Sequence, residues 1–143
     1  MRTFVMVKPD GVKKSLVGEV IRRFENFSFK LAALKVMKID RKTAEKHYEM
    51  HKGKAFYEDL LAYITSGPVV PMVVEIDLSD EDGIKLVRKI VGKTNPLEAE
   101  MGSIRGDYAT TISENIVHAA DSPENAKREI NIFFKENEIV RIE

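Results

Sequence analysis

Apolar residues recur along the chain with two different spacings, which separate predicted strands from predicted helices. Unbroken apolar runs at 3–7 and 69–76 predict buried strands, and the continuity of the second run indicates that both of its faces are covered. A mixed alternation over 31–39 predicts another strand, and a short apolar run that ends at His118 predicts a fourth. Helical spacing of apolar residues predicts helices at 16–27, 42–51, 55–65, 84–91 and 123–134.

The order of these elements predicts the fold class. It is a βαββαβ frame with a helical hairpin inserted between the second and third strands, an α+β sandwich with helices on one sheet face. The stretch 94–113 lacks clear periodicity, and a loop of that length is usually functional. With 143 residues the chain is expected to form a single domain, 1–143, closed by an apolar tail at Ile139, Val140 and Ile142.

Composition excludes several kinds of site. The 23 basic and 23 acidic residues cancel, so binding of phosphate groups would need a local cluster rather than overall charge. The absence of cysteine excludes disulfides, zinc–thiolate sites and thiol catalysis. No apolar run approaches the roughly 20 residues of a membrane span, and no signal peptide precedes the first strand. A soluble, cytoplasmic protein without a membrane partner is predicted.

The most informative stretch surrounds His118. Ser122 is suited to cap a helix, Pro123 fits its first turn, and the helix would carry Glu129 back toward the strand of His118. A histidine backed by a carboxylate is typical of a nucleophile or a base. The alternative is a polar residue at a strand end and a solvated helix charge.

Other polar residues are unusually placed, at a strand end, on predicted helices and in or next to the long loop: Lys8, Tyr48, Arg88, Thr94, Arg105 and Asn115. One lysine and two arginines with hydroxyl and amide donors would suit the oxygens of a polyphosphate. Phosphoryl transfer needs mainly in-line positioning and neutralisation of charge, so such a cluster with one nucleophile would suffice.

Three further patterns are judged structural. His47 and His51 have the i, i+4 spacing of a metal site but lack a third ligand nearby, so they are interpreted as surface histidines of a helix. The segment 92–94 ends like a phosphate-binding P-loop, yet no glycine precedes it at the required distance. Phe56 fits either core packing or a platform for a flat ligand, with core packing the better default.

At this point the sequence closely resembles the nucleoside diphosphate kinase family, with matching motifs nearly from end to end. The matching segments are 2–4, 8–12, 16–19, 23–25, 47–48, 66–70, 92–96, 104–108, 115–118 and 121–122. The resemblance implies a ferredoxin-like core with an antiparallel sheet. It also implies transfer of the γ-phosphate of ATP or another nucleoside triphosphate to a nucleoside diphosphate, by a ping-pong reaction through phospho-His118.

The resemblance also assigns roles to residues. Glu129 would hold the second ring nitrogen of His118, and Phe56 would stack on the base with Ile112 opposite, which explains tolerance for all bases. The remaining contacts to phosphates and sugar would come from Lys8, Tyr48, Arg88, Thr94, Arg105 and Asn115. Mg²⁺ would be held mainly by the nucleotide phosphates rather than by protein ligands. A homo-oligomer is implied, a hexamer rather than a tetramer.

The chain departs from the family at several places, among them Ala55 and Met101, which replace family prolines. Ala119 and Ala120 replace a usual Gly-Ser pair, whose serine hydroxyl helps tie the glutamate to the active histidine. The segment 76–83 is a few residues longer than usual and is expected to enlarge a surface loop. The alternative function is a regulatory nucleotide-binding module on the same fold with weak catalysis. No specific nucleic-acid partner is expected, because no RNP1-like strand is present.

Overall fold

The computed structural model describes residues 1–141, and Ile142 of the predicted apolar tail lies outside them. Within that part of the chain, four strands form one antiparallel sheet in the order β2-β3-β1-β4. The strands are β1 (Arg2–Val7), β2 (Lys30–Leu34), β3 (Val70–Glu75) and β4 (Val117–Ala119). The predicted α+β fold with an antiparallel sheet is confirmed.

The described residues also form seven α-helices. They are α1 (Pro9–Lys13), α2 (Val17–Asn26), α3 (Arg41–His47), α4 (Tyr57–Ile64), α5 (Asp80–Val91), α6 (Ile104–Tyr108) and α7 (Pro123–Phe133). Single 3-10 turns lie at Glu49–His51, Pro96–Glu98 and Glu136–Glu138. None of the helices in residues 1–141 has the length and apolarity needed to cross a bilayer.

The alternation of β1 divides the core into two layers. Phe4 and Met6 pack with α3, α4 and α7, whereas Val5 and Val7 pack with α2, α5 and α6. The two crossover helices α2 and α5 therefore lie on one face, as expected for βαββαβ order. The inserted helical pair and α7 cover the other face, so the predicted arrangement with helices on one sheet face is wrong. Cover on both faces explains why β3 is apolar and buried from Val70 to Val74.

Several boundaries differ from the sequence prediction. β2 ends at Leu34 rather than near residue 39, since its register against β3 shifts after Leu31 and only Met37 pairs beyond its end. The expected surface loop at 76–83 is shorter than predicted, because Ser79 caps α5 by accepting a hydrogen bond from the Asp82 N–H and residues 80–83 belong to that helix.

Candidate functional site

A cleft of about 820 Å³ opens between α4, the end of α5, the long segment after it and β4. The side chains expected from sequence to contact substrate lie together on its wall. They are Lys8, Tyr48, Phe56, Arg88, Thr94, Arg105, Ile112, Asn115 and His118. Glu129 stands directly behind His118. The fold thus gathers residues from five separate parts of the chain.

His118 and Glu129 are locked together. Ser122 accepts a hydrogen bond from the Asn125 N–H at 3.1 Å and Pro123 starts α7, which brings Glu129 back to β4 as predicted. Both Glu129 carboxylate oxygens lie 2.9 Å from His118 Nε2, and the carboxylate is buried. A carboxylate on Nε2 favours the tautomer with the proton there, which leaves the lone pair of Nδ1 free.

The chain before His118 is held in an unusual conformation. Ile116 has φ of 75°, the left-handed region that a β-branched residue rarely adopts and that costs about 1–3 kcal/mol. Its N–H donates to Asp10 Oδ2 at 2.9 Å, and its carbonyl accepts the Lys8 N–H at 2.8 Å. The hydroxyl of Tyr63 donates to the other Asp10 oxygen. Asp10 therefore holds the backbone of Ile116 in this conformation, and the hydroxyl of Tyr63 in α4 fixes the position of Asp10.

Lys8, Arg88 and Arg105 form a cationic wall of the cleft. Two of these side chains donate hydrogen bonds to oxygen atoms of the protein. The Arg105 guanidinium donates to the carbonyls of Asn115, Gly92 and Val117 at 3.3, 3.0 and 2.7 Å. Lys8 Nζ donates to Asn115 Oδ1 at 2.6 Å. The Asn115 amide donates to the Thr94 carbonyl at 3.0 Å. These contacts fix the positions of Lys8 and Arg105 before substrate binds, because they reach both the start of the long segment, at residues 92–94, and its end, at residues 115–117.

Burial makes two cations of this wall less stable in their charged forms. Mainly through desolvation, and against the opposing charge of Asp10, the pKa of Lys8 is lowered to about 8, and the neighbouring Arg105 contributes to this lowering. Desolvation and the neighbouring Arg88 lower the pKa of Arg105 to about 10. An anion bound in the cleft would relieve both effects, so the wall is suited to a polyphosphate.

The opposite end of the cleft is open. Phe56 is 46% exposed and Ile112 is 57% exposed, although neither is a polar residue. The default interpretation of Phe56 as core packing is wrong, because its ring lies at the surface 5.4 Å from the His51 ring. Exposed apolar groups that line the same cleft are suited to a flat aromatic ligand.

The sequence interpretation missed the environment of His47. It is not a surface histidine: its side chain is 1% exposed, its ring lies 4.7 Å from that of His118, and its Nδ1 is 3.6 Å from Glu129 Oε2. One signal could have found it, because Ala44 stands three residues earlier on α3 and marks the same buried face. Asp10 and Tyr63 were also missed.

The chain matches one protein family over most of its length. Residues 1–139 match the family model described as nucleoside diphosphate kinase. A protein of that name from Sulfurisphaera tokodaii is 58% identical over 139 residues, 97% of this chain and 92% of the relative. Its counterpart from Methanocaldococcus jannaschii is 57% identical over 138 residues, 96% of this chain and 96% of the relative.

Solved structures give the same result. A halophilic nucleoside diphosphate kinase from Halobacterium salinarum in complex with CDP superposes with a TM-score of 0.92 at 40% identity, covering 100% of this chain and 93% of that chain. A nucleoside diphosphate kinase family protein from Babesia bovis gives a TM-score of 0.93 at 42% identity, covering 99% and 93%.

Proposed function

Because the chain belongs to the nucleoside diphosphate kinase family, we propose that it transfers the terminal phosphate of a nucleoside triphosphate to a nucleoside diphosphate through phosphorylated His118. We propose that residues 1–143 form one domain with this activity. The observation that carries the proposal is the pair of 2.9 Å contacts between His118 Nε2 and Glu129, on a histidine whose ring also lines the cleft.

The reaction has two half-steps at the same atom. In the first, the Nδ1 lone pair of His118 attacks the γ-phosphorus, an N–P bond forms, and the bond from phosphorus to the β–γ bridging oxygen breaks. The diphosphate product leaves with the electrons of that bond. In the second, an oxygen of the terminal phosphate of another nucleoside diphosphate attacks the phosphohistidine and restores the free imidazole. The Nε2 proton stays on His118 throughout, held by its hydrogen bond to Glu129.

The cationic wall would hold the transferring group in line. Lys8, Arg88 and Arg105 supply charge for the phosphate oxygens, and Arg105 has two N–H donors beyond those already bonded to carbonyls. Phosphoryl transfer spreads negative charge over the equatorial oxygens, so fixed donors of this kind stabilise the transition state. Tyr48, Thr94 and Asn115 would add neutral donors for phosphate or sugar oxygens.

Mg²⁺ fits this cleft as a companion of the nucleotide. Asp121 is the one carboxylate on the described lining, and a cage of protein ligands would need several more oxygens. The ion would therefore be held mainly by the substrate phosphates, with Asp121 within the same cleft. When bound, Mg²⁺ neutralises part of the phosphate charge.

The base would lie between Phe56 and Ile112. Stacking uses the face of a base and ignores its edge, so this end would accept purines and pyrimidines alike.

Family membership leads to further expectations. We expect a homo-oligomer, a hexamer rather than a tetramer, and a cytoplasmic location. The alternative of a binding module with weak turnover is opposed by the intact His118–Glu129 pair.

One labelling experiment tests the proposal. Purified protein given γ-labelled ATP and Mg²⁺ without acceptor is expected to carry the label on His118. The N–P bond should survive alkali and break in acid, unlike a phosphoserine. Any added nucleoside diphosphate should then remove the label as the corresponding triphosphate. His118→Ala is the matched control, and labelling with transfer by that variant would overturn the assignment.

A further inference from the structure

Beside the His118–Glu129 pair lies a buried histidine, His47, that the transfer reaction does not use. His47, His118 and Glu129 each offer one ligand atom, and the three atoms lie within 4.8 Å of one another. His47 and Glu129 are almost wholly buried, at 1% and 3% exposure. Two imidazole nitrogens and a carboxylate form a common zinc donor set in proteins.

His47 supplies the second observation. Neither ring nitrogen of its buried side chain has a hydrogen-bond partner among residues 1–141. A buried polar group without a partner costs about 1–3 kcal/mol, so it calls for an explanation such as an ion or a specific role. The ring centroid lies 6.4 Å from that of Phe4 and 5.5 Å from that of Phe133, and these phenyl rings offer its nitrogen atoms no conventional hydrogen-bond acceptor.

The distances suit a small transition-metal ion. Zinc bonds of about 2.0–2.1 Å in a tetrahedral site separate the ligand atoms by about 3.4 Å. The observed separations from Glu129 Oε2 are 2.9 Å to His118 Nε2 and 3.6 Å to His47 Nδ1, which bracket that value. Burial holds the pKa of His47 far below its ordinary value, so the ring is neutral and one of its nitrogen atoms keeps a free lone pair at neutral pH.

We propose that His47, His118 and Glu129 form a zinc site that switches off the nucleophile. Zn²⁺ is favoured over Mg²⁺ because nitrogen ligands suit it and Mg²⁺ prefers oxygen. The ion would take the Nε2 lone pair of His118, and the single proton of the neutral ring would then reside on Nδ1. An Nδ1 that carries a proton has no lone pair with which to attack phosphorus. Binding does not depend on the proposed function, whereas the inhibition rests on it.

Co²⁺ offers a direct test, since its visible absorption bands report nitrogen and oxygen ligands in a tetrahedral site. The protein without nucleotide is titrated with Co²⁺, and then with Zn²⁺ to displace it. His47→Leu removes the metal-binding ring nitrogen but keeps an apolar side chain of similar bulk, and the melting temperature of the variant reports whether it folds. His51→Ala is the matched control because it removes the neighbouring histidine of the i, i+4 pair. One ion per chain is expected for wild type and His51→Ala, with affinity reduced more than about 100-fold in His47→Leu.

Two results would overturn the site. Absence of uptake by wild type would leave a buried water as the partner of His47. Equal loss of binding in His47→Leu and His51→Ala would assign the ion to the surface pair instead. Should His47→Leu fail to fold, ¹⁵N spectra of the histidine rings in wild type decide: Zn²⁺ should shift His47 and His118 but leave His51 in place, and a shift confined to His51 contradicts the proposal.

The functional consequence is tested separately. Protein loaded with Zn²⁺ and freed of excess metal is expected to form phosphoenzyme at least about tenfold more slowly than after treatment with a chelator, and His47→Leu should lose this difference. Zinc uptake without inhibition overturns the switch but leaves the transfer function intact. Absence of labelling even after chelation counts against the proposed function alone, because Co²⁺ binding is measured without turnover.

Discussion

The two ends of the cleft are built in opposite ways. At the His118 end, a buried carboxylate contacts one ring nitrogen through both oxygens, and Asp10 accepts a hydrogen bond from the N–H of Ile116, two residues before His118. At the other end, Phe56 and Ile112 are 46% and 57% exposed, and neither is fixed by the surrounding core. One end is held rigidly by hydrogen bonds and is largely buried, and the other is open to solvent.

The difference matches what each end would have to do. In-line transfer requires reacting atoms at defined positions, so a misplacement of about 1 Å is costly. Base stacking requires only two apolar faces, so precise side-chain placement gains little there. Substitutions at the rigid end should therefore change turnover strongly, and substitutions at the open end should mainly change affinity.

Arg105 should give the largest effect. Arg105→Ala is expected to lower turnover by about 10²–10³-fold, since one missing donor to transition-state charge costs that much. It should also lower the melting temperature, because the carbonyls of Asn115, Gly92 and Val117 lose their donor. Steady-state kinetics and thermal melting measure the two effects.

Arg88 is the matched control for Arg105. Its side chain lies on the exposed surface of α5 and lines the same cleft. Arg88→Ala should lower turnover by a similar factor with an unchanged melting temperature. Wild-type turnover in either variant would remove that arginine from the phosphate wall.

Phe56 tests the open end. Phe56→Ala should weaken binding of ADP, GDP, CDP and UDP alike by about 1–3 kcal/mol, because only stacking area is lost. Calorimetry on the four diphosphates measures the change, and Phe56→Leu separates aromatic stacking from apolar bulk. If one base lost affinity and the others did not, edge recognition rather than stacking would operate there.

Ala120 should give the smallest effect. Ala120→Ser is expected to leave the fold unchanged and activity equal or higher by no more than about tenfold, the worth of one added hydrogen bond to the Glu129–His118 pair. Ala119→Ser adds the same hydroxyl one residue away and serves as the control. A sharp drop in the rate of Ala120→Ser would mean that the rigid end has been rebuilt around the alanine.

Local sequence signals determined most of the elements and part of the site. Apolar runs mark β1 and β3 because buried strands exclude polar side chains from both faces. Ser122 and Pro123 mark the start of α7 because capping is a local interaction, and the helical rise then places Glu129 behind His118. Of the cations of the wall, Lys8 was found at a strand end, Arg88 on a predicted helix and Arg105 in a long loop.

Long-range packing decided what local signals could not. His47 and His51 share the spacing of one helix face, but α3 ends at His47 and a 3-10 turn follows, with about 3.0 residues per turn instead of 3.6. That change turns His51 toward the cleft while α7 covers His47. The φ of Ile116 depends likewise on Asp10 and Tyr63, which are distant in the chain. Burial and strain arise only when separate elements meet, because each depends on the groups that another element brings.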